Sequence, residues 1–284
     1  MNALGSILVP VDASPRSLLR LQLAQALARQ DAAAPGAVDV LYAVTPSYLE
    51  QPFALADTAI AALAALQELD IQRRNAARKR FDEANASARP PMRWHELSDE
   101  NVVDGTARRG LLADLLLLGQ HDPDPKQASG VPADFVESVL IASGRPGLVL
   151  PYTGRFDTLG LRPLIAWKPA REAAHALSAA LPLLRRAQQI HLVTEAEAGG
   201  SHGTTPAQAV QAYLRLQGVA APVTTHVPID GIAPGEGLLS LAADVGADLL
   251  VMGCYGHSRA RELVLGGASR TLLRSMTLPV LMSH

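Results

Sequence analysis

The residues with the clearest chemical use lie late in the chain. After the apolar run Leu249–Met252 come Gly253-Cys254-Tyr255-Gly256, then nine residues, then Gly266-Gly267-Ala268-Ser269 at the start of a helical pattern. Glycines between a strand and a helix let the backbone take positive φ and come close to a ligand. The free N–H groups of the helix start supply donors and positive potential, which suits a phosphate. Ser269 and Thr271 add hydroxyls, and Lys168 adds a cation at the end of the run that opens at Pro163. Ala166 on that run and Val193 on the next one complete the candidate nucleotide-binding set: Gly253, Gly256, Gly266, Gly267, Ser269, Lys168, Ala166 and Val193. A plainer reading stays open. Gly253 and Gly256 could merely turn the chain, Gly266 and Gly267 let the helix pack closely, and Lys168 be a solvated strand-end lysine. The spacing is neither a Walker loop, for want of Gly-Lys-Ser/Thr, nor a dinucleotide fingerprint.

Other residues with chemical potential are weaker candidates. Cys254 is a lone loop cysteine without a His or Asp at a spacing that marks a nucleophile. His121, Asp122 and Asp124 lack a second ligand cluster and read as an acidic turn rather than a metal site. His257, Arg259 and Arg261 could steer phosphates but also read as an exposed charged stretch. No nucleophile elbow, zinc spacing, paired-carboxylate motif or catalytic base is recognisable. The expectation is a protein that is not an enzyme, or at most hydrolyses ATP slowly and incidentally.

The elements that must position these residues are short apolar runs alternating with helical stretches. Ile7–Val11, Val38–Val44, Met92–Leu97, Ala113–Gly119 and Gly147–Pro151 read as strands, continuous in apolar residues like those buried on both faces of a parallel sheet. Between them, helices are expected to about Arg29, over Ala54–Ala86, Val102–Leu112 and Val131–Ser143, the first capped by Ser14 or Asp12. The pattern then restarts. Strands are expected at Pro163–Lys168, Ile190–Thr194, Val223–Ile229, Asp248–Gly253 and Leu278–Ser283, and helices at Arg171–Arg186, Pro206–Gln217, Leu238–Val245 and Gly267–Ser275. Ala113-Asp114-Leu115-Leu116 matches Ala247-Asp248-Leu249-Leu250, so the repetition reads as a duplication at domain scale. The polar, glycine-bearing stretch Gly154–Leu161 is the expected boundary, giving repeats 1–155 and 156–284.

Composition narrows the function classes. A chain of 284 residues, 48% hydrophobic and 18% charged, can build two cores. A formal net charge of −2 without long charged runs argues against nucleic acid or an anionic membrane as a partner. One cysteine excludes an intrachain disulfide, and neither a signal sequence nor a membrane span is legible, so a cytoplasmic protein is expected.

The Gly253-x2-Gly256-x9-Gly266 spacing after Val251-Met252, with Leu278-Pro279-Val280-Leu281 beyond it, resembles the universal stress protein family. Ile7-Leu8-Val9-Pro10-Val11-Asp12 resembles the opening strand of that family, with the aspartate that touches adenosine. The resemblance covers the chain as two repeats. It implies two doubly wound five-stranded parallel sheets of order 3-2-1-4-5 with helices on both faces, and adenine-nucleotide binding (ATP, ADP or AMP) in some members. It also implies pairing of terminal strands between units, in a homodimer or an intrachain pseudo-dimer of repeats. Three departures divide the elements of one good site between the copies. Gly267 follows the third glycine where nucleotide-binding members usually have Ser or Thr, and Lys168 stands where Asp12 stands in the first copy. The first copy keeps Asp12 but has Asp122 and Pro132 at its second and third glycine places. The expected function is therefore a stress-response protein that binds an adenine nucleotide or related phosphorylated ligand in the second repeat. The alternative is a scaffold whose surface binds other proteins.

Overall fold

The computed structural model describes residues 4–30, 35–50, 59–97, 100–124, 130–194, 204–229, 231–254 and 267–284. The chain divides into two compact units, Ala3–Arg145 and Pro146–His284.

The first unit runs β1 (Ser6–Val11), α1 (Arg16–Ala28), β2 (Ala37–Tyr42), α2 (Ser47–Glu50), α3 (Ala59–Asn85), β3 (Arg93–Glu96), α4 (Val102–Gly110), β4 (Leu115–Gly119) and α5 (Phe135–Ser143). Its strands are parallel in the order β3-β2-β1-β4. Ile7–Val11 and Leu115–Leu118 are buried throughout, which requires cover on both faces of the sheet. That cover comes from α1 packed with α3 and from α4 packed with α5.

The second unit runs β5 (Gly147–Leu150), β6 (Pro163–Trp167), α6 (Arg171–Leu184), β7 (Ile190–Thr194), α7 (Pro206–Leu216), β8 (Val223–His226), α8 (Pro234–Asp244), β9 (Leu249–Gly253), α9 (Gly267–Ser275) and β10 (Val280–Ser283). Strands β8-β7-β6-β9-β10 are parallel and take the expected 3-2-1-4-5 order of one repeat.

One detail differs from two purely parallel five-stranded sheets. Strand β5, the fifth of the first repeat, pairs antiparallel with β10, Val149 opposite Val280 and Gly147 opposite Met282. It therefore belongs to the second compact unit, and the division falls ahead of β5 rather than in the polar stretch after it. A four-residue strand with every residue buried follows its pairing partner rather than the linker composition.

Several boundaries also move. The α8 helix opens at Pro234, not Leu238, because proline has no N–H to lose in a first turn. Strand β8 stops at His226, leaving residues 227–229 outside the ladder. Helix α5 begins at Phe135 rather than Val131, after Pro132. Neither Ser14 nor Asp12 caps α1, whose N-cap is Pro15. Instead Asp12 Oδ1 accepts from the Ser14 backbone N–H at 2.7 Å.

The two units share a pattern of single hydrogen bonds. Asp114 Oδ2 accepts from the backbone N–H groups of Gly5 and Ser6, at 2.9 and 3.0 Å. Asp248 does the same for Leu161 and Arg162, both at 2.9 Å. Each aspartate thus pins the strand beside its own, and Ser6 corresponds to Arg162. Six residues on, Asp12 corresponds to Lys168. The same step takes the buried positions Ser17, Arg20, Leu21, Ala24 and Ala28 of α1 to Ala173, Ala176, Leu177, Ala180 and Leu184 of α6, which are also buried.

Candidate functional site

In an open parallel sheet the crevice for a ligand lies outside the carboxyl ends of the strands, where the strand order reverses. In the second unit that place is flanked by β6, β7 and β9, and it holds a cavity of about 560 Å³. Six candidate residues line it together: Ala166, Lys168, Val193, Gly253, Gly267 and Ser269. Gly256 and Gly266 lie outside the described residues, as do His257, Arg259 and Arg261.

The cavity has an apolar side and a polar one. Val227, Ile229 and Ile232 line it after β8, with Leu238 and Leu241 from α8 and Met252 from β9. Val227, Ile229 and Ile232 stay exposed, at 63%, 40% and 45%, so apolar surface stands open at this wall. The polar side is made by Lys168, exposed at the end of β6, and by Ser269 and Thr271 of α9.

The first turns of α6, α8 and α9 all contribute to the wall. The N-caps of α6 and α8, Ala170 and Ala233, provide no side-chain cap for the first-turn N–H groups. The counterpart of α8 in the first unit, α4, is capped by Asn101, which accepts from Val103 and Asp104, while α1, the counterpart of α6, has no side-chain cap. Uncapped helix starts carry donors and the positive end of the helix dipole.

Glu172 is the carboxylate of the described wall. Its Oε1 accepts from Arg171 Nε at 2.7 Å with the side chain 8% exposed. That hydrogen bond, outweighing the effect of burial, holds its carboxyl below the usual range.

The glycines divide into two kinds. A Cβ on Gly253 would meet the backbone of α6, Ala173 N at 2.5 Å and Glu172 C at 2.7 Å. Gly253 is therefore required by close packing of α6 on β9, whatever else it does. Among the described residues, a Cβ on Gly267 would meet nothing within 4 Å. Beside it, Gly235 lets α8 approach the backbone of α9, where a Cβ would stand 2.9 Å from Ala268 O.

Cys254 is sealed rather than reactive. It is 1% exposed, its backbone N–H donates to Ser283 O at 2.9 Å, and burial, with the charge of Glu172, pushes the thiol far above its ordinary range.

The first unit has a buried ion pair at the equivalent place. Asp12 is buried and accepts from Arg20 Nη2 at 3.0 Å and from Ser17 Oγ at 3.1 Å. Arg20, 5% exposed, also donates to Ser17 Oγ at 2.9 Å. A Cβ on Gly119, the counterpart of Gly253, would strike the Arg20 guanidinium. The second unit has Lys168, Ala173 and Ala176 in place of Asp12, Ser17 and Arg20, so this ion pair and its hydrogen bonds have no counterpart there. Sequence reasoning singled out Asp12, Asp122 and Pro132 in the first copy and did not reach Arg20. The available signal was a charged residue on the same helix stripe as Ser17, Leu21 and Ala24. The turn itself is ordinary: Asp124 N donates to Asp122 Oδ1 at 3.0 Å. Among the described residues no group of three or more His, Cys, Asp or Glu side chains is gathered to hold a metal. No described helix is long and apolar enough to cross a membrane.

Comparison with known proteins gives consistent results. Residues 165–284 match the sequence model of the universal stress protein family. A curated universal stress protein of Synechocystis sp. is 28% identical over 182 residues, which cover 59% of this chain and 57% of that one. The crystal structure of a universal stress protein from Archaeoglobus fulgidus has a TM-score of 0.66 at 16% identity, over 99% of this chain and 98% of that one. A functionally unknown protein from Pseudomonas aeruginosa has a TM-score of 0.54 at 17% identity, over 98% and 92% of the two chains. At these identities the structural likeness is one of fold. Residues 165–284 are thus similar in sequence to the universal stress protein family.

Proposed function

We propose that the second unit binds an adenine nucleotide or a related phosphorylated ligand, and that the protein acts in a stress response without catalysing a reaction. The observation that carries this reading is the cavity of about 560 Å³ at the strand ends, within the range of small-molecule sites. Its apolar wall suits a flat heterocycle. Lys168, the hydroxyls of Ser269 and Thr271, and the start of α9 suit a phosphate. The first unit, with Arg20 on Asp12, is assigned a structural or regulatory part. Mass spectrometry of the small molecules released from purified protein by denaturation tests the reading. A stoichiometric adenine nucleotide or other phosphorylated compound is expected. Protein that carries none, and takes up none when ATP, ADP or AMP is added, would overturn it.

A second reading is a scaffold that binds other proteins and no nucleotide. Gly253 favours it, because packing of α6 alone accounts for that glycine. The same nucleotide additions separate the two.

A further inference from the structure

Strand β8 is short and lies at the edge of the second unit's sheet, so its ladder is held from one side only. Side chains tie it at two places. Thr225 accepts from Gln211 of α7 at 3.4 Å. On the other face, His191 Nδ1 of β7 stands 3.0 Å from His226 Nε2, with the rings 5.2 Å apart. The register places His226 opposite Val193 and His191 opposite Thr224, so His191, Val193 and His226 share a face. Val193 lines the cavity, and the residues directly after His226, Val227 to Ile229, form its apolar wall. The histidine bond therefore sits at the root of that wall.

We propose that His191 and His226 are positioning residues that latch the apolar wall of the cavity, and that acidification releases the latch and weakens ligand binding. This rests on the ligand-binding reading above. The bond needs a lone pair on one of the facing nitrogens, so it fails when both rings are protonated. Burial, then His226, then Arg162 lower the pKa of His191 below its ordinary value, and the neutral ring is the form the fold favours. The sign follows. The folded unit binds fewer protons here than the unfolded chain, so the latch is intact above the ordinary histidine pKa. It is lost as pH falls from there through the lowered value. Arg162, ahead of β6, is the other charge acting on His191. The one ionisable cation of α7 is Arg215, while α8 carries Glu236 and Asp244, and none of the three contributes to the shift.

Two measurements test the latch separately from the ligand. In ligand-free protein, hydrogen-exchange protection of residues 223–229, corrected for intrinsic rates, should drop between pH 7.5 and 5.5. In the double variant His191→Asn, His226→Gln, which has neither ring to titrate, protection should be the same at both values. Calorimetric titration with ATP over the same range should then show affinity falling by up to about tenfold per pH unit, the limit for one linked proton. The double variant should show only the shallower slope set by ATP itself. Protection in the parent that does not change with pH, or that changes equally in the double variant, overturns the latch. Absence of ATP binding at pH 7.5 with the protection change intact overturns the ligand reading instead.

Discussion

Arg20 places Nη2 3.0 Å from Asp12 Oδ2 in the first unit, with both side chains nearly sealed from solvent at 7% and 12% exposure. The corresponding positions of the second unit hold Ala176 and Lys168, and no such pair can form. Two copies of one fold thus use the same place differently. One holds a buried ion pair there, and the other has a cavity with a cation at its edge.

Arg20→Met should destabilise the first unit by about 3–5 kcal/mol, because it strands a buried carboxylate. Burial alone would raise the Asp12 pKa, but the Arg20 charge and the hydrogen bonds from Ser14 hold it below its ordinary value. A lowered carboxyl pKa contributes stability that is present above the unfolded value and is lost as pH falls through the folded one. Urea denaturation at pH 7 should show the loss in Arg20→Met. The double variant Arg20→Met, Asp12→Asn should recover part of it and lose the Asp12 contribution to acid sensitivity.

The two described glycines of the loop should respond oppositely to alanine. Gly253→Ala drives a methyl group into the backbone of α6 and should cost roughly 1–3 kcal/mol, as overpacking does. Gly267→Ala meets no described neighbour within 4 Å, and thermal melting should find stability equal to or slightly above that of the parent. Its effect should fall on the ligand, since the added group stands where a phosphate would approach the start of α9.

Cys254 should be inert in the folded protein. Its burial and raised pKa keep the thiolate, the reactive form, out of reach. Ellman's reagent should label it only at the rate of unfolding, and at once in denaturant. Rapid labelling of native protein would contradict the placement.

Much of this was legible in the sequence because parallel strands leave a plain mark. Continuous apolar runs such as Ile7–Val11 and Leu249–Met252 gave the strands, and the paired Ala-Asp-Leu-Leu segments gave the repeat. The aspartates of those segments make equivalent bonds in both units. The pairing of β5 with β10 was implied only by the family resemblance, and its antiparallel direction was not legible, since four buried apolar residues carry no sign of strand direction. At the site, Lys168, Ala166 and Val193 follow from their positions at strand ends. Arg20 and the wall from Val227 to Ile232 do not, because their parts depend on which helix stripe faces the crevice and where β8 stops. Gly253 shows the other limit, as one residue can satisfy a loop pattern and a packing requirement together.

The most direct measurement is calorimetric titration of ATP into the full chain, alongside Lys168→Asp and Arg20→Met proteins shown by circular dichroism to be folded. One site per chain is expected. Lys168→Asp should weaken binding by about 1.5–3 kcal/mol, the worth of a charge-assisted hydrogen bond, with a larger loss at low salt. Arg20→Met should leave the second unit's affinity unchanged. No binding by the parent, or equal affinity in parent and Lys168→Asp, would contradict a phosphate held at the edge of this cavity.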